Sequence, residues 1–521
     1  MSRKNRLRRA QKPAAARASG VAGLTAPAAS PSDATASEQP VSRAALWLSA
    51  AFLVPNLGAL ACGFAFDDRV LIVENEPLHI HSLRQLGAIW RSGYWPDARG
   101  QELYRPVSKT LWALAWAAGG GAHAAVYHAI GLALGLAVVL LAWRFLLTVN
   151  TPPRTAFIAA LVFALLPIHT EATTSVVGSA ETLAAAFALG ALLLYYRGRA
   201  AWALALFALA VFSKESAATF AALPLVFPRR DATRRAQFFA AAGAAVVIAA
   251  ALVAHFAVSR GTGAIPAIDN PASLVDAPRR ILTALWVQCL YLWRSVVPIT
   301  LSADYSYKQI PLVMGLADWR AWAGLALAGG FILAALDRRF RAAALSYGIL
   351  FSATDNILFP IGTIMGERLV YSPSLGLALL LGILLARWRH WKTALVAVAL
   401  AFGARTAVRN LDWLDAGHFY TKLVETSPGS AKSYYSLGVM RASRGDDAAA
   451  IEAYDRAIAI YPAYSEAYHN RGNALVRLGR RAEAMESYRQ CLRFDPGHAG
   501  AAYNLMELQA GRPLDPPRKP L

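Results

Sequence analysis

Long apolar runs separated by short basic interruptions fill the chain from residue 44 to about residue 408. Each spanning helix needs ~20 predominantly apolar residues. The runs at 44–63, 124–147, 155–168, 179–196, 200–213, 215–228, 236–258, 318–336, 342–360, 370–386 and 392–408 therefore predict a membrane bundle of about eleven spans. The runs at 200–213 and 215–228 are short, which predicts broken or tilted helices that line a cavity or are covered by protein. Two further apolar pieces, 106–118 and 281–297, are expected to lie along the outer surface or to re-enter from it. The first follows Tyr104-Arg105-Pro106, and proline suits the first turn of a juxtamembrane helix.

Charge orients this pattern. Arg154, Arg197 with Arg199, Arg229-Arg230 with Arg234-Arg235, Arg338-Arg339 with Arg341, and Arg387 to Lys392 fall in the interruptions. Basic loops of this kind face the cytoplasm. The net charge of +20 is thereby accounted for by loops, and nucleic acid is not an expected partner. Residues 1–43, basic and then rich in Ala, Pro and Ser, read as a disordered cytoplasmic tail ahead of a signal anchor. Cys62, Cys289 and Cys491 form no disulfide or metal-ligand pattern.

With that orientation, Asp67-Asp68, His169 and Glu171, Lys214-Glu215, and Glu367-Arg368 all reach the outer side. Singly, each has an ordinary explanation as a helix cap, a snorkelling pair or an exposed loop pair. Their coincidence on one side argues for a shared pocket. Charges near a bilayer are expensive unless they sit at the interface or face a cavity.

After residue 411 the period changes. Pro428, Pro462 and Pro496 are spaced by 34, as are Ala416, Ala450 and Ala484, and Tyr420, Tyr454 and Tyr488. Gly438 and Gly472 mark the close-packing position between paired helices. This is the tetratricopeptide pattern, a helical solenoid whose concave face binds extended peptides. The expected layout is a membrane domain at 44–410, repeats at 411–510 and a tail at 511–521, all-α throughout.

The ordered motifs FAFDD, YRPVSK, FALLPIHTEATTSVVGSAETL, FSKESA, LSADYS and GERLVYSPSLG, followed by these repeats, resemble the transmembrane-and-tetratricopeptide-repeat O-mannosyltransferase family. They are similar, more distantly, to other GT-C glycosyltransferases. The resemblance implies an enzyme that takes a sugar, mannose in this family, from a polyprenyl-phosphate carrier and places it on Ser or Thr of an exported protein. It maps the catalytic acidic pair onto Asp67 and Asp68. The chain departs from the expected pattern at Gly178-Ser179-Ala180-Glu181, where Ala180 stands in place of an arginine before Glu181.

The chemistry agrees with the residues. One carboxylate accepts the acceptor hydroxyl's proton while its neighbour orients the acceptor or a cation. Arg105, Lys214 and Arg368 are the candidate partners of the lipid phosphate, with His169, Glu171, Glu181, Glu215 and Glu367 as further substrate-binding candidates. A divalent cation is compatible with the acidic pair, but no dedicated metal-ligand set is present. The expected setting is a bacterial inner membrane, with the amino terminus cytoplasmic and the repeats periplasmic. Membrane lipid, a polyprenyl-phosphate-linked sugar and an exported acceptor protein are the expected partners. Two other readings stay open: sugar transfer to lipid or polysaccharide, and a non-enzymatic repeat scaffold anchored in the membrane.

Overall fold

The computed structural model describes residues 31–96, 103–119, 121–258 and 265–516, with side chains from residue 43 onward. Its compact units are Met1–Ala44 and Ala45–Leu521. Of the expected amino-terminal tail, the part before Pro31 lies outside the described residues. From Pro31 the backbone is already helical, so helix α1 (Pro31–Asn56) starts well ahead of the apolar run, with proline in its first turn. Everything below concerns the second unit.

Every described element is helical. Six helices are long and apolar enough to cross a bilayer: Arg43–Ala61 within and after α1, α3 (Ala124–Thr148), α5 (Ser179–Tyr196), α7 (Arg234–Val258), α9 (Trp319–Leu336) and α12 with its last turn (Trp391–Trp413). A seventh candidate is bent by 54°, where α4 (Pro153–Leu165) gives way to Pro167–Thr173. The break falls at Pro167, which cannot donate the next helical hydrogen bond. Four of the expected spans form shorter apolar helices: α6 (Ala200–Ser213), Glu215–Val226, α10 (Arg341–Phe351) and α11 (Ser374–Arg387). Length and composition thus support six or seven crossings rather than about eleven.

The centre of the bundle is α4 with the segment after it, buried almost without interruption from Ala156 to Ala185. By contrast, α7 buries no residue and turns Phe238, Phe239, Val246, Val253 and Phe256 outward, an arrangement suited to lipid. The segment at 281–297 belongs to α8 (Ala277–Val296), which begins with Arg279-Arg280 and carries Arg294 in its last turn. It is amphipathic and packs through Thr283, Ala284, Val287, Gln288, Tyr291 and Ser295. The outer segment at 106–118 is α2 (Pro106–Gly119).

The repeats comprise α13 (Ala416–Thr426), α14 (Ala431–Ser443), α15 (Asp447–Ile460), α16 (Ser465–Arg477), α17 (Arg481–Phe494) and α18 (Ala499–Gln509). The 34-residue period works as expected in the two full repeats. Tyr454 lies against Gly438 and Tyr488 against Gly472, so closely that a Cβ on either glycine would run into the ring.

One loop fastens the repeats to the membrane helices. Asp304, in LSADYS, accepts hydrogen bonds from Ser306 Oγ at 2.9 Å, Ser433 Oγ at 2.9 Å and, more closely, Ser430 Oγ. Ser427 Oγ donates to the Asp304 carbonyl at 2.6 Å, and Lys432 pairs with Asp269 at 2.7 Å. Backbone bonds from Lys308 N to Gly429 O and from Ala431 N to Tyr307 O, each 2.7 Å, complete the joint. The sequence boundary at 410/411 is therefore not a flexible hinge. Asp304→Ala would leave three buried hydroxyls short of a charged acceptor, each such bond being worth roughly 1.5–3 kcal/mol. We expect this variant to lose about 3 kcal/mol of stability. Limited proteolysis should cut it faster between residues 264 and 310 than the wild type.

Candidate active site

Beyond Asn56 the first span ends in one tight turn, Leu57–Ala61, and the chain leaves it extended at Cys62. Phe66 then adopts a left-handed conformation, φ 55°. A bulky residue there costs on the order of 1–3 kcal/mol and persists only where its surroundings hold it. Packing of Phe66 beside Cys62, Ala65, Trp413 and Phe419 supplies that hold. The turn delivers Asp67 and Asp68 in opposite directions.

Asp68 points inward and is fully buried. Its carboxylate accepts from Val177 N at 2.9 Å, Ser175 Oγ at 3.2 Å, Val176 N at 3.3 Å and Ala65 N at 3.4 Å. The 174–178 loop can come this near because Gly178 lies against the Glu171 carbonyl, where a Cβ would collide. Both oxygens of Asp68 are taken, so the expected role of orienting acceptor or cation does not fit it. It clamps two loops together instead. Asp67 remains 21% exposed and meets Arg368 at 3.5 Å.

Arg368 links Asp67 to Glu171. Its guanidinium lies 3.4 Å from Glu171, and its own N–H donates to Glu171 Oε2 at 2.9 Å. A neighbouring group is built on Arg105, whose Nε and Nη2 donate to Glu215 at 2.9 and 2.5 Å. Beside it, Lys214 and Glu181 form a close buried ion pair, so the glutamate after Ala180 has found its cation elsewhere. Eight of the ten expected residues are thus brought into adjoining networks, within which Asp67, Arg105, Glu215 and Arg368 keep some exposure.

The other two face elsewhere. His169 bonds Ser374 Oγ at 2.7 Å and is wedged between the rings of Phe163 and Tyr371, 4.7 and 4.6 Å away. Glu367 is fully buried and accepts from Ser302 N at 2.6 Å and Tyr305 Oη at 2.5 Å, with Arg409 at 3.6 Å. It braces the LSADYS loop.

Three residues outside the ten candidates adjoin the site. Tyr94 packs under the Arg105 guanidinium, 4.9 Å from its ring centre, and its phenol lies in the field of Arg105, Arg368 and Asp67. Lys109 of YRPVSK fixes the turn before it, donating to Ser92 Oγ and the Gly93 carbonyl at 2.7 and 2.6 Å. Tyr420 of α13 adjoins Phe66 in the cluster beneath the acidic turn.

Asp67 alone of the acidic pair keeps an exposed carboxylate, so the pair does not form a shared cation site. Among the described residues, potential metal ligands converge in the repeats, where atoms of Glu466, His469 and His498 lie within 4.8 Å of one another. His498 Nδ1 accepts the Ala501 N–H at 3.1 Å and caps α18. Its Nε2 therefore carries the proton and faces Glu466 at 3.6 Å, the wrong tautomer for a metal ligand there.

These features define a multi-pass helical membrane protein with a tetratricopeptide array. Residues 264–332 match the family described as protein O-mannosyl-transferase TMTC, DUF1736, and residues 438–479 and 465–498 match tetratricopeptide repeats. The chain is 24% identical to human protein O-mannosyl-transferase TMTC3 over 449 residues, covering 73% of this chain and 47% of that protein. It is 27% identical to mouse protein O-mannosyl-transferase TMTC4 over 467 residues, covering 75% and 63%. It is 26% identical to protein O-mannosyl-transferase F38B6.6 of Caenorhabditis elegans over 435 residues, covering 78% and 61%. The chain is thus similar to the transmembrane-and-tetratricopeptide-repeat O-mannosyltransferase family. It spans between about half and two thirds of the length of these relatives.

Burial pushes the Asp68 carboxyl up to about 7, against the opposing pull of the Val177, Val176 and Ala65 N–H groups. A carboxyl raised on folding supports the fold fully below its unfolded value, near 4, and loses that contribution as pH rises toward 7. The stability of the wild type relative to Asp68→Asn should therefore fall across pH 4 to 7, measured by thermal unfolding in detergent.

Proposed function

We propose that the chain is a membrane glycosyltransferase that moves a sugar from a polyprenyl-phosphate carrier to Ser or Thr of exported proteins. The names of the relatives support mannose as the sugar. The observation that carries this reading is the division of labour in the acidic turn: Asp68 is consumed in holding the turn, while Asp67 stays open beside Arg368. In this reading the site opens on the exported side of a bacterial inner membrane, and the repeats lie on that side.

Asp67 takes the proton of the acceptor hydroxyl as its oxygen attacks the anomeric carbon, inverting it. The bond from that carbon to the phosphate oxygen breaks, and its electron pair leaves with the lipid phosphate. Arg368 and Arg105 offset the charge that develops there. Each arginine already has an acidic partner. Glu215, 55% exposed, is the partner that the phosphate displaces most readily, whereas Glu171 is buried at 3%. Arg105 keeps its place meanwhile through Tyr94 beneath it.

Asp67→Asn preserves size and removes the base, so transfer from a polyprenyl-phosphate sugar to a Ser/Thr peptide should fall by about 10²–10⁴-fold. Unfolding temperature should stay close to wild type, because Asp67 makes only one long ionic contact. Wild-type transfer rates for the purified variant would rule out this role and favour a scaffold.

A further inference from the structure

Tyr420 occupies a place that the repeat pattern does not explain. Tyr454 and Tyr488 each rest on a glycine of the first helix of their own repeat. The half-repeat that opens the array has no such helix ahead of α13. The 62–66 segment stands there instead. Cys62, Ala65 and Phe66 pack with Trp413, Phe419, Tyr420 and Leu423. The Phe66 and Phe419 rings are 5.8 Å apart, and Gly63 N donates to the Leu414 carbonyl at 3.0 Å. Tyr420 is only partly buried, and its ring also packs on Leu437, Met440 and Ala453, so it is gripped from both sides. Among charged groups, Asp67 acts most strongly on its phenol, followed by Arg69, Asp68 and Glu74.

We propose that α13 forms one wall of the transfer site and that the Tyr420 hydroxyl positions a polypeptide acceptor, bonding its backbone while a Ser or Thr hydroxyl reaches Asp67. This rests on the transferase reading above and adds where the acceptor runs. Phe66 and the phenol, both partly exposed, suit a neutral extended peptide. Asp67, the strongest charge acting on the phenol, disfavours an anionic glycan, and a phenol offers nothing to an acyl chain.

Tyr420→Phe keeps the ring and its packing and removes only the hydroxyl. Assayed in the full chain with a Ser/Thr peptide and a polyprenyl-phosphate sugar, it should raise the peptide KM by roughly threefold to tenfold, the weight of one neutral hydrogen bond. The donor KM should not move. A photoreactive benzoylphenylalanine at position 420 should cross-link to the peptide, and excess unlabelled peptide should suppress the product. An unchanged peptide KM, a rise confined to the donor KM, or cross-linking only to lipid overturns the proposal. Asp67→Asn assayed alongside separates the two levels. If it is inactive while Tyr420→Phe matches wild type, only the acceptor wall is lost; if it is fully active, the transferase reading falls as well.

Discussion

The buried carboxylate of Asp68 is the constraint on which the site depends. Four donors from two distant parts of the chain converge on it, and the residues that supply them are all buried. The clamp fixes the 174–178 loop, and through it the bent segment that carries Glu171. Glu171 in turn holds both the guanidinium and the backbone of Arg368, which faces Asp67. The buried acid thus sets the position of its exposed neighbour. Adjacent acids with opposite surroundings can divide structural and chemical work in this way.

A second layer of support comes from below. Phe66 is held in an unfavourable backbone conformation by aromatic packing contributed largely by Trp413 and Phe419, residues at and beyond the end of the last span. The Asp304 joint then ties the following helices to the segment matched by the TMTC family. Membrane helices and repeats consequently share one body of contacts.

Much of this was legible in the sequence, but unevenly. Apolar runs located the helices because burial and lipid both demand the same residues. They leave the number of full crossings open, since a run of fourteen residues such as Ala200–Ser213 looks alike whether it spans or ends inside the protein. Asp67, Arg105, Glu171 and Arg368 can be grouped because the pattern of basic loops places them at one common level of the helices. That rule gives the level of a residue, not the direction of its side chain, which is why His169 and Glu367 were grouped with them and in fact face the core. Asp304 stood out in a motif without a role, because its partners lie over 120 residues away. Tyr94 lies in an irregular loop that leaves no periodic trace. The period of 34 gives Tyr420 the place of a second-helix tyrosine but does not show what stands where a first helix would be.

That missing helix gives the array a polarity. At its near end the place of a repeat helix is taken by the acidic loop, so no unit can be inserted there without dislodging Asp67 and Asp68. Among the described residues, α18 packs on the repeat before it through Ala501 and Leu508. Solenoids lengthen by stacking like on like. Units added at that end would lengthen the array and leave the turn that carries Asp67 and Asp68 in place.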